Sequence, residues 1–330
     1  MPLLDVRDLS ITLRTPRGLV RAVRDVSFTL DRGETAGLVG ESGSGKTLTA
    51  LALLGLLPEG AQVSGSIRFE GEELAGAAED RWCDLRGNRI AMVFQEPMTA
   101  LNPVHPVGRQ VAEPLRVHKG LDADAARREA IAILDRVGIA DAARRIDQYP
   151  HQFSGGQRQR ITIAMALACG PDLLVADEPT TALDVMVQQQ ILALVRELVR
   201  ERGMALLLVS HNLGVVADHV ARTMVMYGGS VVESGPTPDV FAHPRMPYTL
   251  GLLAARPRLT AQRVDRLPTI PGTVPDLADL PAGCPFAGRC RFTIDECFVT
   301  PPPPEVVGPA HAARCIRLDA VAADLRGQSP

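Results

Sequence analysis

Lysine is scarce in this 330-residue sequence, in which 33 of the 35 basic residues are arginines and only Lys46 and Lys119 remain. A lysine kept at a motif position therefore carries more weight than usual. Aromatic residues make up only 4% of the chain, which argues against a surface built on aromatic stacking. The formal net charge is −3 and neither half is basic, so we expect no nucleic-acid partner.

Long apolar runs are missing as well. The longest, Leu48 to Leu57, is too short to cross a bilayer and predicts a core helix. The first ten residues lack a positive segment followed by an apolar one, so we expect no secretory signal and a cytoplasmic protein. Hydrophobic residues make up 46% and charged residues 22%, which allows a buried core, and the length suits two or three packed units.

The apolar patterns predict a mixed α/β core with a helical insert. Strands are predicted at 4–13, 20–30, 35–39, 64–71, 89–95, 173–176 and 206–210, and a hairpin over 223–233 around Gly228–Gly229. From about 96 to 170 the pattern is helical, with Asp122 as an N-cap, and 185–202 predicts another helix. The last 74 residues hold 12 of the 26 prolines, which predicts a loop-rich appendage without long helices or central strands.

A phosphate-binding loop is the most specific motif. The run Gly40-x4-Gly45-Lys46-Thr47 lies between a predicted strand and a predicted helix, and it includes Ser42, Gly43 and Ser44. Its glycines allow backbone N–H groups to curl around an anion. Lys46 is expected to reach the β- and γ-phosphates of a nucleotide, and the Thr47 hydroxyl to bind Mg²⁺.

Two acids end the buried strand that begins at Leu173. Asp177 is expected to hold Mg²⁺, and Glu178 to orient and polarise an attacking water. About 20 residues earlier, Ser154-Gly155-Gly156-Gln157 precedes an apolar helix. Ser154 can cap this helix, and the two glycines allow a phosphate to approach the backbone.

In this order, the motifs resemble the nucleotide-binding subunits of ABC transporters. Gly40–Thr47 resembles the Walker A loop, Ser154–Gln157 the signature, and Leu173–Glu178 the Walker B strand with its catalytic glutamate. The resemblance further implies that Gln95 is the Q-loop glutamine and a Mg²⁺ ligand, Ala182-Leu183-Asp184 the D-loop, and His211 the switch histidine that contacts the γ-phosphate. It covers residues 1 to about 235.

Four further segments, 94–108, 149–160, 243–253 and 281–290, resemble the branch that serves dipeptide, oligopeptide and nickel importers. The fold implied is α/β, with a RecA-like core, an antiparallel β subdomain and a helical insert over residues 1–256. A peptide-transporter-type extension then occupies 257–330. The function implied is that of an ATP-hydrolysing subunit that powers peptide import, in which ATP closes a dimer of such domains.

The same resemblance implies the partners and the location. We expect two transmembrane permease subunits, a second related ATPase in a heterodimer, and an extracellular peptide-binding protein that acts indirectly. A homodimer stays open, since every motif of the site is intact. The expected location is the cytoplasmic face of the cell membrane.

One departure from the family concerns the nucleotide base. The family usually places an aromatic residue upstream of the phosphate loop, where it stacks on adenine. This chain has Thr15-Pro16-Arg17-Gly18-Leu19-Val20 near that place. Arg17 or Val20 is therefore the candidate to cover the base, although an arginine in such a loop is more often just a solvated charge.

Four cysteines lie in the extension: Cys284, Cys290, Cys297 and Cys315. A disulfide framework is disfavoured in a cytoplasm, and the spacing lacks the paired C-x2-C of common zinc sites. Four thiolates can hold a [4Fe–4S] cluster, which the resemblance implies for some relatives. Zinc and unmetallated thiols stay open. His311 near Cys315 could replace a ligand, but a surface histidine is the more common case at such a position.

Other functions explain less of the sequence. An importer of nickel or another small solute would use the same machinery. A soluble ABC ATPase that acts on ribosomes or DNA predicts a tandem ATPase pair or a long coiled coil, and neither pattern is found. A small-molecule kinase shares the phosphate loop but leaves Ser154–Gln157 unexplained.

Overall fold

The computed structural model describes residues 1–95, 100–180, 184–255 and 269–327. The strands are β1 (Leu4–Thr15), β2 (Gly18–Leu30), β3 (Thr35–Val39), β4 (Gln62–Phe69), β5 (Glu72–Glu73), β6 (Ile90–Val93), β7 (Leu173–Asp177), β8 (Ala205–Ser210), β9 (Arg222–Tyr227), β10 (Ser230–Pro236), β11 (Glu305–Gly308) and β12 (His311–Ala313). The α-helices are α1 (Lys46–Ala52), α2 (Glu79–Leu85), α3 (Val107–Lys119), α4 (Ala123–Arg136), α5 (Ala142–Arg145), α6 (Gly155–Leu167), α7 (Val185–Arg202), α8 (Leu213–His219), α9 (Thr237–Ala242), α10 (Pro247–Ala254) and α11 (Leu318–Gly327).

Two sheets are formed by the described strands. One is antiparallel with the strand order β2-β1-β4-β5. The other has the order β11-β12-β10-β9-β3-β8-β7-β6, parallel from β9 to β6 and antiparallel from β11 to β9. In the second sheet, Val39 lies opposite Ser210 and Asp177 opposite Val209. The loops that follow β3, β7 and β8 therefore start side by side at one edge.

Both faces of the parallel strands are buried, which explains their continuous apolar runs. On β7, Leu173 and Val175 pack into the core shared with the antiparallel sheet. Leu174 and Ala176 face the other core, which includes the helices of the insert. The sheet is thus packed between two cores, which fixes the positions of the loops that start at the carboxyl ends of its strands.

Several local predictions are confirmed. The Asp122 carboxylate accepts a hydrogen bond from the Ala125 N–H and caps α4. Strands β9 and β10 form the predicted hairpin, whose turn residues Gly228 and Gly229 have φ of +56° and +84°, as a tight turn between twisted strands requires. None of the helices in the described ranges combines the length and apolar character needed to cross a bilayer.

The apolar run after the phosphate loop is only partly helical. The prediction of a helix to Leu57 was wrong, because α1 ends at Ala52. The chain then turns at Gly55, where φ is +62°. A Cβ there would lie 2.6 Å from the Trp82 ring, so the indole packs directly on the backbone of the turn.

The extension is not an appendage, as its composition predicted, but packs into the body of the protein. Strand β12 lies between β10 and β11 at one end of the large sheet, so no central strand comes from the described residues of this region. Phe286 is buried, and its ring centroid lies 5.2 Å from that of Tyr227 and 5.3 Å from that of Tyr248. The Tyr248 hydroxyl accepts a hydrogen bond of 2.8 Å from the Glu41 N–H, so this aromatic cluster supports the loop after β3.

Candidate nucleotide site

The loop between β3 and α1 is shaped by its glycines. Gly43 and Gly45 have φ of +77° and +101°, in the region that favours glycine. A Cβ on Gly40 would lie 2.1 Å from the Met226 carbonyl oxygen, and one on Gly45 would lie 2.9 Å from that of Ala22. The backbone can therefore make this narrow curl only without side chains at these positions.

Lys46 lies inside this curl. Its side chain is buried, and Nζ donates hydrogen bonds of 2.9 Å to the carbonyl oxygens of Gly40 and Glu41. Burial lowers the pKa of the ammonium group, and the carboxylates of Glu178 and Asp177 oppose this effect. The loop thus holds the Lys46 ammonium group at a position where the oxygen atoms of an anion can replace the carbonyl oxygens of Gly40 and Glu41.

Asp177, at the end of β7, carries a polar atom that nothing satisfies. The residue is buried, and its Oδ1 has no hydrogen-bond partner among the described residues. Burial raises the pKa of this carboxyl group, while a hydrogen bond from the Thr47 side chain lowers it. Mg²⁺ prefers oxygen ligands. The Asp177 carboxylate, with Oδ1 unpartnered and the Thr47 hydroxyl beside it, therefore fits this ion.

Glu178 is held at both carboxylate oxygens by residues that the sequence had singled out. Gln95 Nε2 donates a hydrogen bond of 3.0 Å to Oε2, and His211 Nδ1 lies 2.9 Å from Oε1. The backbone of Glu178 has φ of +46°, a conformation that costs a non-glycine residue about 1–2 kcal/mol. The fold thus tolerates a strained backbone that sets the direction of the Glu178 carboxylate, and such strain is frequent at catalytic sites.

The signature segment forms the start of α6. The Ser154 hydroxyl accepts a hydrogen bond from the Gln157 N–H, and the Gln157 side chain accepts one from the Ser154 N–H. The cap at Ser154 is therefore confirmed. A Cβ on Gly156 would lie 2.8 Å from a methyl group of Val187, which keeps this turn close to α7. Gly155 is the first residue of the helix.

The signature and the phosphate loop do not meet within one chain. A cleft of about 870 Å³ runs along the phosphate loop from Ser42 to Leu48 and includes Gln95 and Glu178. None of the residues found along this cleft in the described ranges comes from 154–157. The D-loop prediction falls mostly on Ala182 and Leu183, which lie outside the described residues, whereas Asp184 caps α7 by accepting from the Val187 N–H.

Arg17 lines the cleft but is engaged by the extension. Its guanidinium group donates two hydrogen bonds to the Asp279 carboxylate, of 2.9 and 2.5 Å, and lies 3.4 Å from Asp276. Residues 274–278 also line the cleft. Sequence reasoning missed this segment, because the partners are more than 250 positions apart and no local pattern marks the contact.

A second contact joins the extension to the phosphate loop. The Arg289 guanidinium group donates hydrogen bonds of 2.8 and 3.1 Å to the two carboxylate oxygens of Glu41. Its Nη1 also lies 3.3 Å from the Tyr227 hydroxyl. This two-pronged pair is mostly buried on the arginine side, so the extension fixes one residue of the loop directly.

The four cysteines of the extension line one small pocket beside Phe286. The N–H groups of Phe292 and Arg317 donate to Cys290 Sγ at 3.4 Å and Cys315 Sγ at 3.3 Å. Burial raises the pKa of the Cys284 and Cys315 thiols to about 11. The donor set fits a thiolate-ligated group, although in the described parts of the chain no three His, Cys, Asp or Glu side chains are arranged to hold a single metal ion.

His311, the candidate replacement ligand, is committed elsewhere. Its Nε2 lies 2.8 Å from the Glu233 carboxylate, and both side chains are buried. It is not among the residues that line the cysteine pocket within the described ranges. Both interpretations of His311 are therefore wrong: it is buried rather than on the surface, and it pairs with Glu233 rather than joining the cysteines.

Comparisons with known proteins agree with this geometry. A family model described as ABC transporter matches residues 23–181, and one described as oligopeptide/dipeptide transporter, C-terminal region, matches 232–297. A Brucella melitensis protein named as a peptide import ATP-binding protein is 52% identical over 98% of this chain and 99% of its own length. A protein of the same description from Brucella abortus is 53% identical over 95% of this chain and 94% of its own.

Solved structures give the same picture. The dimeric ATP-binding cassette MJ0796, in a post-hydrolysis state bound to ADP and Pi, matches with a TM-score of 0.64 and 26% identity, over 71% of this chain and 98% of that one. The structure of cbiO1 from Clostridium perfringens, part of the transporter complex cbiONQ, matches with a TM-score of 0.62 and 27% identity, over 73% of this chain and 91% of that one.

Proposed function

The chain belongs to the ABC transporter family of ATP-binding proteins, and on that premise we propose that it hydrolyses ATP to power the import of di- and oligopeptides through a membrane permease. The observation that carries the proposal is the setting of Glu178, whose two carboxylate oxygens are held by Gln95 and His211 beside the phosphate loop. The name of the Brucella melitensis relative and the match to the peptide-transporter C-terminal region favour peptides over nickel or another small solute.

The phosphate loop binds the triphosphate. Lys46 exchanges the carbonyl oxygens of Gly40 and Glu41 for phosphate oxygens, and backbone N–H groups of the loop add to the binding. Thr47 and Asp177 would hold Mg²⁺, with Gln95 as a further ligand. An ion held there would supply positive charge beside the triphosphate.

Glu178 acts as the general base toward the attacking water. Gln95 and His211 fix the direction of its carboxylate, which lowers the entropic cost of reaching the reactive arrangement. His211 is largely exposed in this structure, so it can turn from Glu178 toward the γ-phosphate when ATP is bound. Gln95 links the nucleotide to the helical insert that begins near residue 96.

The active unit is a dimer in which each nucleotide lies between two chains. The start of α6 is available to a partner's ATP. Its cap Ser154 and first residue Gly155 are exposed, Gly156 and Gln157 are half-buried, and none of the four lines the described part of its own cleft. The partner is a second, related ATPase, and this chain contributes a complete set of motifs to the pair. ATP holds the dimer closed, and hydrolysis releases it.

The assembly stands on the cytoplasmic face of the membrane. The helical insert contacts two permease subunits, and an extracellular binding protein delivers the peptide. The described residues that line the cleft come from the nucleotide motifs, the start of the antiparallel sheet and the extension. In this proposal the solute is selected by the permeases and the binding protein.

A transport assay tests the function. The full complex, with permeases and the second ATPase in lipid vesicles, should take up a labelled dipeptide or oligopeptide only with Mg–ATP, and peptide should raise the rate of ATP hydrolysis several-fold. Nickel in the same assay gives the comparison. Uptake of nickel without any uptake of peptide would contradict the peptide assignment.

The extension, we further propose, holds a [4Fe–4S] cluster on Cys284, Cys290, Cys297 and Cys315. The convergence of the four thiols on one pocket and the N–H bonds to two of the sulfurs support this, since such bonds stabilise sulfur that carries negative charge. The bound cluster ties loops together that otherwise have little regular structure. Cys284 and Cys315, with thiol pKa values of about 11, would otherwise be protonated at neutral pH.

Iron content tests the cluster. Anaerobically purified protein should be brown, absorb light at about 400 nm and contain about four iron atoms per chain. The variant Cys297→Ser should lose most of this absorbance. The matched control Cys83→Ser, an exposed cysteine outside the pocket, should keep it. Colourless protein with one equivalent of zinc would contradict the proposal.

A further inference from the structure

The nucleotide cleft has two chemically different ends. At one end lie the phosphate loop, Gln95 and Glu178. The other end is largely apolar and is formed by two distant parts of the chain, the start of the antiparallel sheet and the extension. These parts contribute Leu13, Val20 and Ala22 from the sheet, and Val274, Pro275, Leu277 and Ala278 from the extension. Its charged lining residues, Arg17 and Asp276, pair with each other. Since the phosphates occupy the polar end, the base of a bound nucleotide lies at the apolar end.

This apolar end is made without aromatic rings. None of the described residues that line the cleft is Phe, Tyr or Trp. A purine nevertheless has two flat apolar faces, and aliphatic side chains can cover them when they are held on both sides. The sheet supplies one side here, and residues 274–278 of the extension, which we name the base wall, supply the other.

The base wall is anchored to the catalytic body at both of its ends. Directly after it, Asp279 makes the two-pronged pair with Arg17. Near the same end of the wall, the Arg24 guanidinium group donates to the Leu277 carbonyl oxygen at 3.3 Å. Before it, the Pro271 carbonyl oxygen accepts from Arg289, which itself holds Glu41 of the phosphate loop. These contacts fix the wall relative to the loop that takes the phosphates.

We propose that residues 274–278 of the C-terminal extension form the base-contacting wall of this chain's own ATP site. The extension is then part of the nucleotide site and takes the place of the aromatic residue that the chain lacks. Arg17 is a positioning residue that holds the wall through Asp279. The inference rests on the proposed function, because it takes the ligand of the cleft to be ATP.

Binding measurements on the full-length chain test the wall. The variant Val274→Ser/Leu277→Ser should bind ATP about tenfold more weakly, which is about 1.4 kcal/mol and matches roughly 55 Å² of lost apolar contact. Its affinity for inorganic tripolyphosphate, which has no base, should not change. The matched control Val299→Ser/Val306→Ser changes two exposed valines of the same extension outside the cleft, and it should bind both ligands as the wild type does.

The anchor provides a second test, in which Asp279→Arg leaves the cleft lining untouched and the compensating change Arg17→Asp alters one lining residue. Asp279 does not line the described cleft, so Asp279→Arg should weaken ATP binding only by loosening the wall, about threefold. Adding Arg17→Asp should restore the ion pair in reverse and recover most of the affinity. If Val274→Ser/Leu277→Ser has a lowered melting temperature, the comparison of Asp279→Arg with Asp279→Arg/Arg17→Asp decides whether the base wall contributes to ATP binding.

The outcomes separate the wall from the function. If Val274→Ser/Leu277→Ser and Asp279→Arg both bind ATP as tightly as the wild type does, the proposal of the base wall is overturned. The proposed function then still stands, provided that the wild type binds ATP. Equal losses for ATP and tripolyphosphate would also overturn the proposal of the base wall, because the effect would then act on the phosphate loop. A wild-type chain that bound tripolyphosphate but gained nothing from the base of ATP would overturn it directly. Failure of the wild type to bind either ligand would overturn the proposed function as well.

Discussion

Glu178→Gln should lower the rate of ATP hydrolysis by about 10²- to 10⁴-fold, the range expected when a general base is removed, and leave ATP binding within threefold of the wild type. Glutamine keeps the shape of the side chain and can still contact Gln95 and His211. It cannot accept the proton of the attacking water. The loss should therefore appear in kcat and not in the Kd for ATP.

Phosphate release by the complex with the second ATPase measures this effect, with Kd obtained from a fluorescent ATP analogue. Glu197→Gln is the matched control, because Glu197 is an exposed glutamate on α7, remote in sequence from the motifs of the site. It should hydrolyse ATP as the wild type does. Rapid multiple turnover by Glu178→Gln would show that the general base is another group.

Lys46→Ala should weaken ATP binding by at least about a hundredfold, because the loop then loses the charge that its curl is built to hold. The chain offers an unusually clean control, since Lys119 is its only other lysine. Lys119 lies on α3, where its ammonium group donates to Asn88, and Lys119→Ala should bind ATP like the wild type. Hydrolysis by Lys46→Ala should fall with binding.

Removing Lys46 also removes three hydrogen bonds within the loop, so the folded state needs its own check. Lys46→Arg keeps a cation but is too large for the same buried position, and it should recover less than a tenth of the affinity. The melting temperature of each variant without nucleotide shows whether the loop has collapsed. Retention of wild-type Kd by folded Lys46→Ala would contradict the assignment of the phosphate loop.

The parts of the site that sequence predicted best are those with local rules. A glycine-rich loop between a strand and a helix, an acid at a strand end and a serine cap each need only a few neighbouring residues. The carboxyl edge of the parallel sheet then brings these pieces together, as the pairing of Val39 with Ser210 and of Asp177 with Val209 shows. Alternation and turn glycines likewise located the β9–β10 hairpin.

The parts that sequence missed depend on contacts between distant segments. Nothing near Arg17 or Asp279 indicates that they pair, and nothing near Glu41 indicates Arg289. The prolines of the extension correctly argued against long helices, but composition cannot tell a loop in solvent from a loop that packs into a core. The apolar run to Leu57 could not locate the end of α1, because burial continues after the helix stops.

The molar mass of Glu178→Gln in solution, measured by light scattering with the second ATPase present, tests the central claim most directly. The claim is that ATP joins two chains, each of which completes the other's site. With Mg–ATP the variant should form a stable two-chain complex, and with Mg–ADP it should remain as single chains. The same mass under both conditions, with nucleotide demonstrably bound, would contradict the account.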